Sequence, residues 1–314
     1  MESAIDRFIF YTDPHYGPLS GGRSLFDPIL YGTDALNLQF AIHHFANTNA
    51  ISLIFHGGDE CAFTPDLMEH FKRAHAASIP LRNFDGHVIR IAGNHDYQPG
   101  LNELGFSKAG LQDALLMSNT KIIVGTDQII KEDGRPVYTF NEEATCRSIN
   151  TPSSTGEEIL STLISSHAAY DRSIIAKYPY DFGPKDKGYM YRQNADQIFE
   201  TLCELGARKP GAVLSLHGHE HGFRLSDQSG YRCLTMPSLV QEDMETPGRP
   251  CGLFCVIDRD RITGTFNIHG KQVILDKNNP EDPAKATVRD YSLKAMNDNY
   301  GRRYNVFGPH RRAA

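Results

Sequence analysis

Short strand-like runs at residues 8–11 (FIFY), 51–55 (ISLIF) and 87–91 (HVIRI) alternate with longer amphipathic stretches. This alternation restricts the first third of the chain to a sheet built from β-α-β units. Residues 33–47 place Leu38, Ala41, Ile42 and Phe45 at i, i+3, i+4 and i+7, the buried stripe of a helix. His43 and His44 are adjacent on that helix and face different directions, so they form no chelating pair. Thr64, Pro65 and Asp66 read as an N-cap, a proline at the first helical position and an acid in the first turn of a second helix ending near Ala77. A helix is expected over 107–118 and a strand over 121–124.

Beyond residue 125 the pattern loosens. VYTF and ATCRSI flank Asn141, Glu142 and Glu143 and are expected to pair as a hairpin. A strand is expected over 160–165, and 171–192, rich in Tyr, Gly, Pro and Lys, reads as a surface excursion beside a site. Residues 194–206 read as a helix burying Ile198, Leu202 and Leu205 and ended by Gly206. Strands are expected at 212–216, 231–234, 253–257 and 262–268. The chain turns polar after Gly270, so the expected organisation is a domain over 1–270 and a C-terminal extension over 271–314, of no assigned role.

The formal net charge of -6 argues against a chain that coats nucleic acid, which needs clustered Lys and Arg. No stretch approaches the roughly 18 apolar residues of a membrane helix, and only a four-residue apolar run precedes Thr12, so a cytoplasmic location is expected. The six cysteines show no zinc-knuckle or disulfide spacing and read as reduced. Cys251 and Cys255 share a strand face roughly 13 Å apart, too far for a bond.

Metal-competent residues follow one predicted strand after another: Asp13 and His15 (TDPHYG), Asp59 (HGGDE), Asn94, His95 and Asp96 (AGNHD), His167 (SSHAAY), and His219 and His221 (LHGHEH). Active-site loops of α/β folds commonly leave strand ends in this way. Carboxylates, an amide oxygen and imidazoles without a thiolate suit manganese, iron or zinc. Gly58, Gly93 and Gly218 permit tight turns and close backbone approach. His56 and His217 lie at strand ends and read as packing residues; Cys61 reads as part of a packed turn. Tyr16, Tyr97 and Tyr170 each follow a motif and are candidates to touch substrate.

The order DxH, GD, GNHD, H, GHxH over roughly residues 5–270 resembles the calcineurin-like metallophosphoesterase superfamily. The resemblance implies an α/β four-layer sandwich of two mixed β-sheets flanked by helices. It implies that Asp13, His15 and His221 bind one divalent metal, that Asn94, His167 and His219 bind a second, and that Asp59 bridges them. His95 would protonate the leaving oxygen or steady the transition state, with Asp96 orienting it. Hydroxide bridging the metals would attack a phosphoester in line. Because ligand histidines bind metal unprotonated, activity is expected to fall as the pH drops toward about 6.

GDECAF and GNHD depart from the GDxxDRG and GNHE of protein Ser/Thr phosphatases. The GHEH ending is similar to that of enzymes acting on small phosphorylated metabolites or nucleotides, as monoesters or diesters. A nuclease acting on DNA or RNA is the first alternative, disfavoured because 172–192 is too short for a separate DNA-binding domain. A noncatalytic scaffold is the second, disfavoured because His95 and all seven ligand positions are present.

Overall fold

The computed structural model describes residues 5–17, 33–62, 66–93, 95–96, 110–111, 117–125, 127–132, 135–152, 156, 158–170, 192–193, 195–246 and 249–301. Two mixed sheets stack face to face with helices outside them. The first has the order β16 (Thr287–Asp290), β15 (Phe266–Ile274), β14 (Pro250–Asp260), β1 (Ile5–Tyr11), β2 (Leu53–His56), β3 (His87–Arg90), with β13 (Val240–Glu242) also paired to β14. The second has the order β11 (Arg224–Gln228), β12 (Tyr231–Thr235), β10 (Val213–His217), β8 (Ser161–Ser165), β5 (Thr120–Val124), β4 (Gly110–Leu111). A small third sheet joins β6 (Asp127–Glu132), β7 (Arg135–Phe140) and β9 (Arg192–Gln193).

Side chains alternate across each strand, and the core is divided accordingly. Phe8 and Phe10 of β1 join Phe55, Leu163, Leu214 and Leu216 in the layer between the sheets. Ile9 and Tyr11 face the other way, onto Leu38, Ala41 and Ile42 of α1 (Thr33–Thr48). Outside the second sheet, Ile123, Ile164 and Val213 pack with Ile149 of α4 (Glu142–Asn150) and with Ile198 and Leu202 of α5 (Asp196–Arg208). The result is the four-layer sandwich expected from the motifs.

β1, β2 and β3 run parallel, as do β5, β8 and β10. Parallel pairing sends the carboxyl ends of neighbouring strands to the same edge, where the loops carrying the metal-competent residues emerge.

Several local readings need correction. Asp66, not Thr64, caps α2 (Leu67–Ala77), its carboxylate accepting the Glu69 N–H at 3.1 Å; Thr64 and Pro65 lie outside the described residues. Within the expected helix 107–118, Gly110 and Leu111 pair with β5 at a sheet edge, Met117 and Ser118 lie in a bend and turn before β5, and 107–109 and 112–116 lie outside the described residues. Glycine is a poor helix former, and an edge strand offers its backbone the alternative. The hairpin forms between β6 and β7, one element earlier than expected. The ATCRSI stretch is helical because Asn141 caps α4 by accepting the Ala144 N–H at 3.0 Å, with Glu142 and Glu143 favourably placed in the first turn. Gly206 lies inside α5, where a Cβ would meet the Tyr231 N at 2.4 Å, so it permits close packing on the second sheet instead of ending the helix. Leu205 is half-buried. Ile262 sits exposed in the turn before β15.

The boundary expected after residue 270 runs through β15, and β16 extends the same sheet. Beyond it, α6 (Leu293–Tyr300) inserts Met296 and Tyr300 between the sheets. Residues 171–191 of the expected excursion and 302–314 of the tail lie outside the described residues. All six cysteines are free. Among the described residues no helix is long and apolar enough to cross a membrane.

His43 lies buried under this helix-sheet layer, against the short α3 (Ile79–Arg82). Its Nδ1–H donates to the Pro80 carbonyl and its Nε2 faces the Tyr11 hydroxyl, both at 2.9 Å. Burial is the main cause that pushes its pKa down to about 4. The unfolded chain therefore takes up a proton between about 6.5 and 4 that the folded chain refuses. Stability contributed by the neutral ring is intact above about 6.5 and is lost as the pH falls, by on the order of 2–3 kcal/mol. We expect the thermal midpoint to drop between pH 7 and pH 4.5, and to drop less in His43→Gln; equal slopes for the two proteins would exclude this account.

Candidate metal centre

Asp13, His15, Asp59 and His221 each offer a ligand atom within 4.8 Å of all the others. His15 Nε2 and His221 Nε2 are 2.9 Å apart, and His221 Nε2 is 3.1 Å from Asp13 Oδ1. His15 Nε2 is 3.6 Å from both Asp13 Oδ1 and Asp59 Oδ2. His167 Nε2 stands 3.3 Å from Asp59 Oδ2 and 3.9 Å from Asp13 Oδ1. The His219 ring lies 5.1 Å from the His167 ring, centroid to centroid. Six of the seven residues expected as ligands are thus brought together, four histidines around two buried carboxylates. Asn94 lies outside the described residues.

The loops are strained in a way that serves this convergence. Among the described residues eight non-glycine residues have positive φ, and five of them are Asp13 (52°), His15 (47°), Asp59 (51°), His219 (64°) and His221 (48°). Asp and His tolerate the left-handed region better than branched residues, yet each such position costs on the order of 1 kcal/mol and persists only where its surroundings demand it. Those surroundings are hydrogen bonds between loops. The Asp13 N–H donates to Gly58 O at 2.9 Å, the His15 N–H to Asp59 O at 3.0 Å and the Gly218 N–H to His167 O at 2.9 Å. The Asp13 carboxylate accepts the His219 N–H at 3.1 Å and the Thr12 hydroxyl, while Asp59 Oδ1 accepts the His95 N–H at 2.8 Å.

Glycine makes the approach possible. A Cβ on Gly93 would fall 2.1 Å from Asp59 Oδ1, and one on Gly218 would fall 2.1 Å from Asp13 Oδ2. Gly58, at φ 102°, occupies a conformation that side chains avoid.

Electrostatics fix the protonation of the donors. Burial works against the charge of Asp13, but His167, His15 and His221 outweigh it and hold this carboxyl well below the usual range. Asp59 is lowered against the same burial penalty by His167, His95 and His15. His167 donates Nδ1–H to Gly57 O at 2.6 Å, which turns Nε2 toward the two carboxylates. A bare nitrogen lone pair facing carboxylate oxygens is repulsive, so a cation belongs between them. In the metal-free protein it is a proton: despite burial, Asp59 and Asp13 raise His167 to about 10. The donor set and its tautomers fit a divalent metal in that place.

The remaining residues divide clearly. The His95 ring stacks edge-on against His15 at 4.7 Å. Both Asp96 oxygens accept backbone N–H groups, from Glu60 at 3.0 Å and Gly93 at 2.9 Å, a tie between loops that the motif does not disclose. His217 is buried among Ser166, Ser215 and Tyr170, and His56 accepts the Gly58 N–H at 3.3 Å, so its strand-end position contributes to the turn before Asp59. Tyr170 is fully buried against His217 and cannot meet substrate; Tyr16 pairs with Cys61, and Tyr97 lies outside the described residues. Burial pushes the Cys61 thiol far up, which leaves it inert at neutral pH.

No protein-family profile matches the chain, and no curated protein does. Among solved structures it is similar to a dimetal phosphatase from Danio rerio at 12% identity, over 91% of this chain and 99% of that one, with a TM-score of 0.58. A purple acid phosphatase, PPD1 from yellow lupin (Lupinus luteus) seeds, is 11% identical over 94% of this chain and 55% of its own, with a TM-score of 0.49. A 5'-nucleotidase precursor from Thermus thermophilus is 12% identical over 86% of this chain and 54% of its own, with a TM-score of 0.44. At 12% identity, what the chain shares with the dimetal phosphatase is the fold, two mixed sheets flanked by helices.

Two outcomes follow from this geometry. Gly93→Ala should weaken manganese binding at least tenfold and cost about 1–3 kcal/mol of stability, since neither Asp59 nor the Gly93 backbone can retreat; calorimetric titration showing wild-type affinity would contradict the packing. Because His167 carries its extra proton up to about 10, manganese uptake at pH 8 should release a proton into a weakly buffered solution. Uptake without proton release would mean that His167 is not a ligand.

Proposed function

We propose that this chain is a working calcineurin-like metallophosphoesterase: a hydrolase, dependent on two divalent metals, of small phosphorylated metabolites or nucleotides. The observation that carries the reading is the convergence of Asp13, His15, Asp59, His167, His219 and His221 on one edge of the two sheets, with the nitrogens of His15, His167 and His221 standing 3.1–3.9 Å from the oxygens of Asp13 and Asp59.

In this reading Asp13, His15 and His221 would hold one cation, His167, His219 and Asn94 would hold the other, and Asp59 would serve both. When bound, manganese, iron or zinc supplies Lewis acidity toward phosphoryl oxygens and a water activated as nucleophile. The protein's own contribution is preorganisation. His167 holds its Nε2 in place through Gly57, and Asp59 is held through the His95 N–H, so neither has to reorient when the ester arrives.

His95 is the group left to act on the ester. Burial, with His15, His221 and His167 nearby, outweighs Asp59 and pushes it down to about 4, so the ring is neutral at pH 7. A neutral imidazole donates an N–H hydrogen bond to the leaving oxygen and steadies its developing charge; that is the role the site favours over delivery of a proton from an imidazolium. The small-substrate reading is supported by the chain's net negative charge, which is poor complementarity for a nucleic-acid backbone.

The experiment is to strip the protein, reload it with manganese and assay bis-p-nitrophenyl phosphate beside p-nitrophenyl phosphate. Metal-dependent turnover is expected, lost in Asp59→Asn and lowered at least about 10²-fold in His95→Ala. The ratio of the two rates separates a diesterase from a monoesterase. A fully loaded protein that hydrolyses neither ester would sink the enzymatic reading and favour a binding scaffold.

A further inference from the structure

Behind the metal centre, between the loops after β2 and β3, lies a buried charge cluster that none of the ligand motifs predicts. Arg90, the last residue of β3, reaches the carboxylate of Glu60 with both prongs of its guanidinium, Nε to Oε1 at 2.7 Å and Nη2 to Oε2 at 2.6 Å. Both side chains are almost wholly withdrawn from solvent. Asp96 completes the cluster by accepting the Glu60 and Gly93 N–H groups.

Glu60 immediately follows Asp59, and Asp96 immediately follows His95. The cluster therefore grips each loop one residue from the group that works in the site, and across the gap the two groups meet through the His95 N–H and Asp59 Oδ1. Asp59 has little other freedom: its loop is strained at φ 51°, and Gly93 lies against its carboxylate. A two-pronged ion pair resists both translation and rotation of the carboxylate, which a single contact does not.

We propose that Glu60 and Arg90 are positioning residues of the phosphoesterase: their bidentate pair sets the placement of Asp59 relative to His95, and with it the geometry in which metals and ester meet. This rests on the phosphoesterase reading above. A purely structural pair would behave differently, because a buried ion pair can often be exchanged for apolar residues of similar volume without loss of stability.

The test is the double variant Glu60→Met/Arg90→Met, with Arg90→Lys beside it, each loaded with manganese. For the double variant the expected result is a thermal midpoint near that of the wild type, two manganese ions per chain, an altered spin-coupled manganese resonance, and kcat lowered about ten- to a hundredfold with KM within about twofold. Arg90→Lys keeps the charge and loses the fork, so its kcat should fall between the two. A folded double variant with wild-type kcat and wild-type resonance overturns the proposal. If the double variant does not fold, Arg90→Lys decides: wild-type kcat and resonance there overturn it equally, and a lowered kcat with an altered resonance upholds it. Failure of the underlying reading looks different, since wild-type protein would then load manganese and hydrolyse neither ester, and the resonance alone would judge the positioning role.

Discussion

The Asp13 carboxylate is the point at which the two sheets are joined in chemistry as well as in packing. It leaves the end of β1 in the first sheet and accepts the backbone N–H of His219, which leaves the end of β10 in the second. Its own N–H reaches Gly58 beyond β2, and its carbonyl accepts the Ser238 hydroxyl at 2.6 Å. A fully buried, ionised acid is costly unless it is paired and hydrogen-bonded, and here the surrounding histidines and N–H groups meet that condition. The left-handed turns at Asp13, His15, Asp59, His219 and His221 follow, because they turn the three loops after β1, β2 and β10 in around one pair of carboxylates.

This arrangement depends on stiff strands behind it. β1 has Phe8 and Phe10 in the inter-sheet layer and Ile9 and Tyr11 beneath α1, so neither face can slide without opening a cavity. The C-terminal residues reinforce the same end of the molecule. Tyr300 donates its hydroxyl to Glu242 O at 3.1 Å, and Arg289 binds Glu245 at 2.6 Å; both hold the segment that begins with Ser238 and Leu239, whose contacts fix the Asp13 loop. Residues that read in sequence as a polar tail thus brace a loop of the site.

What could be read from the sequence was whatever depends on local order. A buried strand followed by a ligand residue is visible because the strand is a short apolar run and its loop begins where the run stops. Gly58, Gly93 and Gly218 are legible for the same reason, since a glycine beside a ligand residue signals backbone approach. Contacts between distant segments were not legible. Gly206 reads as a helix end, yet its reason for being glycine is Tyr231, on a strand that the helix packs against. α4 was hidden because Val137 to Phe140 and the residues after Asn141 both look strand-like, and only the cap decides between them; Asp133 and Gly134, a stronger hairpin signal, lie between β6 and β7. Met296 and Tyr300 stand out as apolar residues of the tail, but their place in the core depends on the distant strands they pack against. Arg90 and Glu60 fall in no periodic pattern, and nothing short of the fold brings them together.

The acids of the site sort into two classes by environment alone. Asp13 and Asp59 are held ionised because imidazoles outweigh the cost of burial, whereas burial, reinforced by Glu60 and Asp59, pushes Asp96 well above the usual carboxylate range. Glu60 is neutralised by the Arg90 fork. The cluster behind the site is thereby kept close to electrical balance, and the negative charge open to exchange of a proton for another cation is that of the two carboxylates that face the histidines. Separation of this kind lets neighbouring acids serve different ends, one pair attracting cations and the other holding loops, without competing for the same ion. A cation entering the site meets two carboxylates already fixed by backbone N–H groups. The negative charge that would bind it is therefore in place before it arrives, and the strain of holding that charge is borne by the turns.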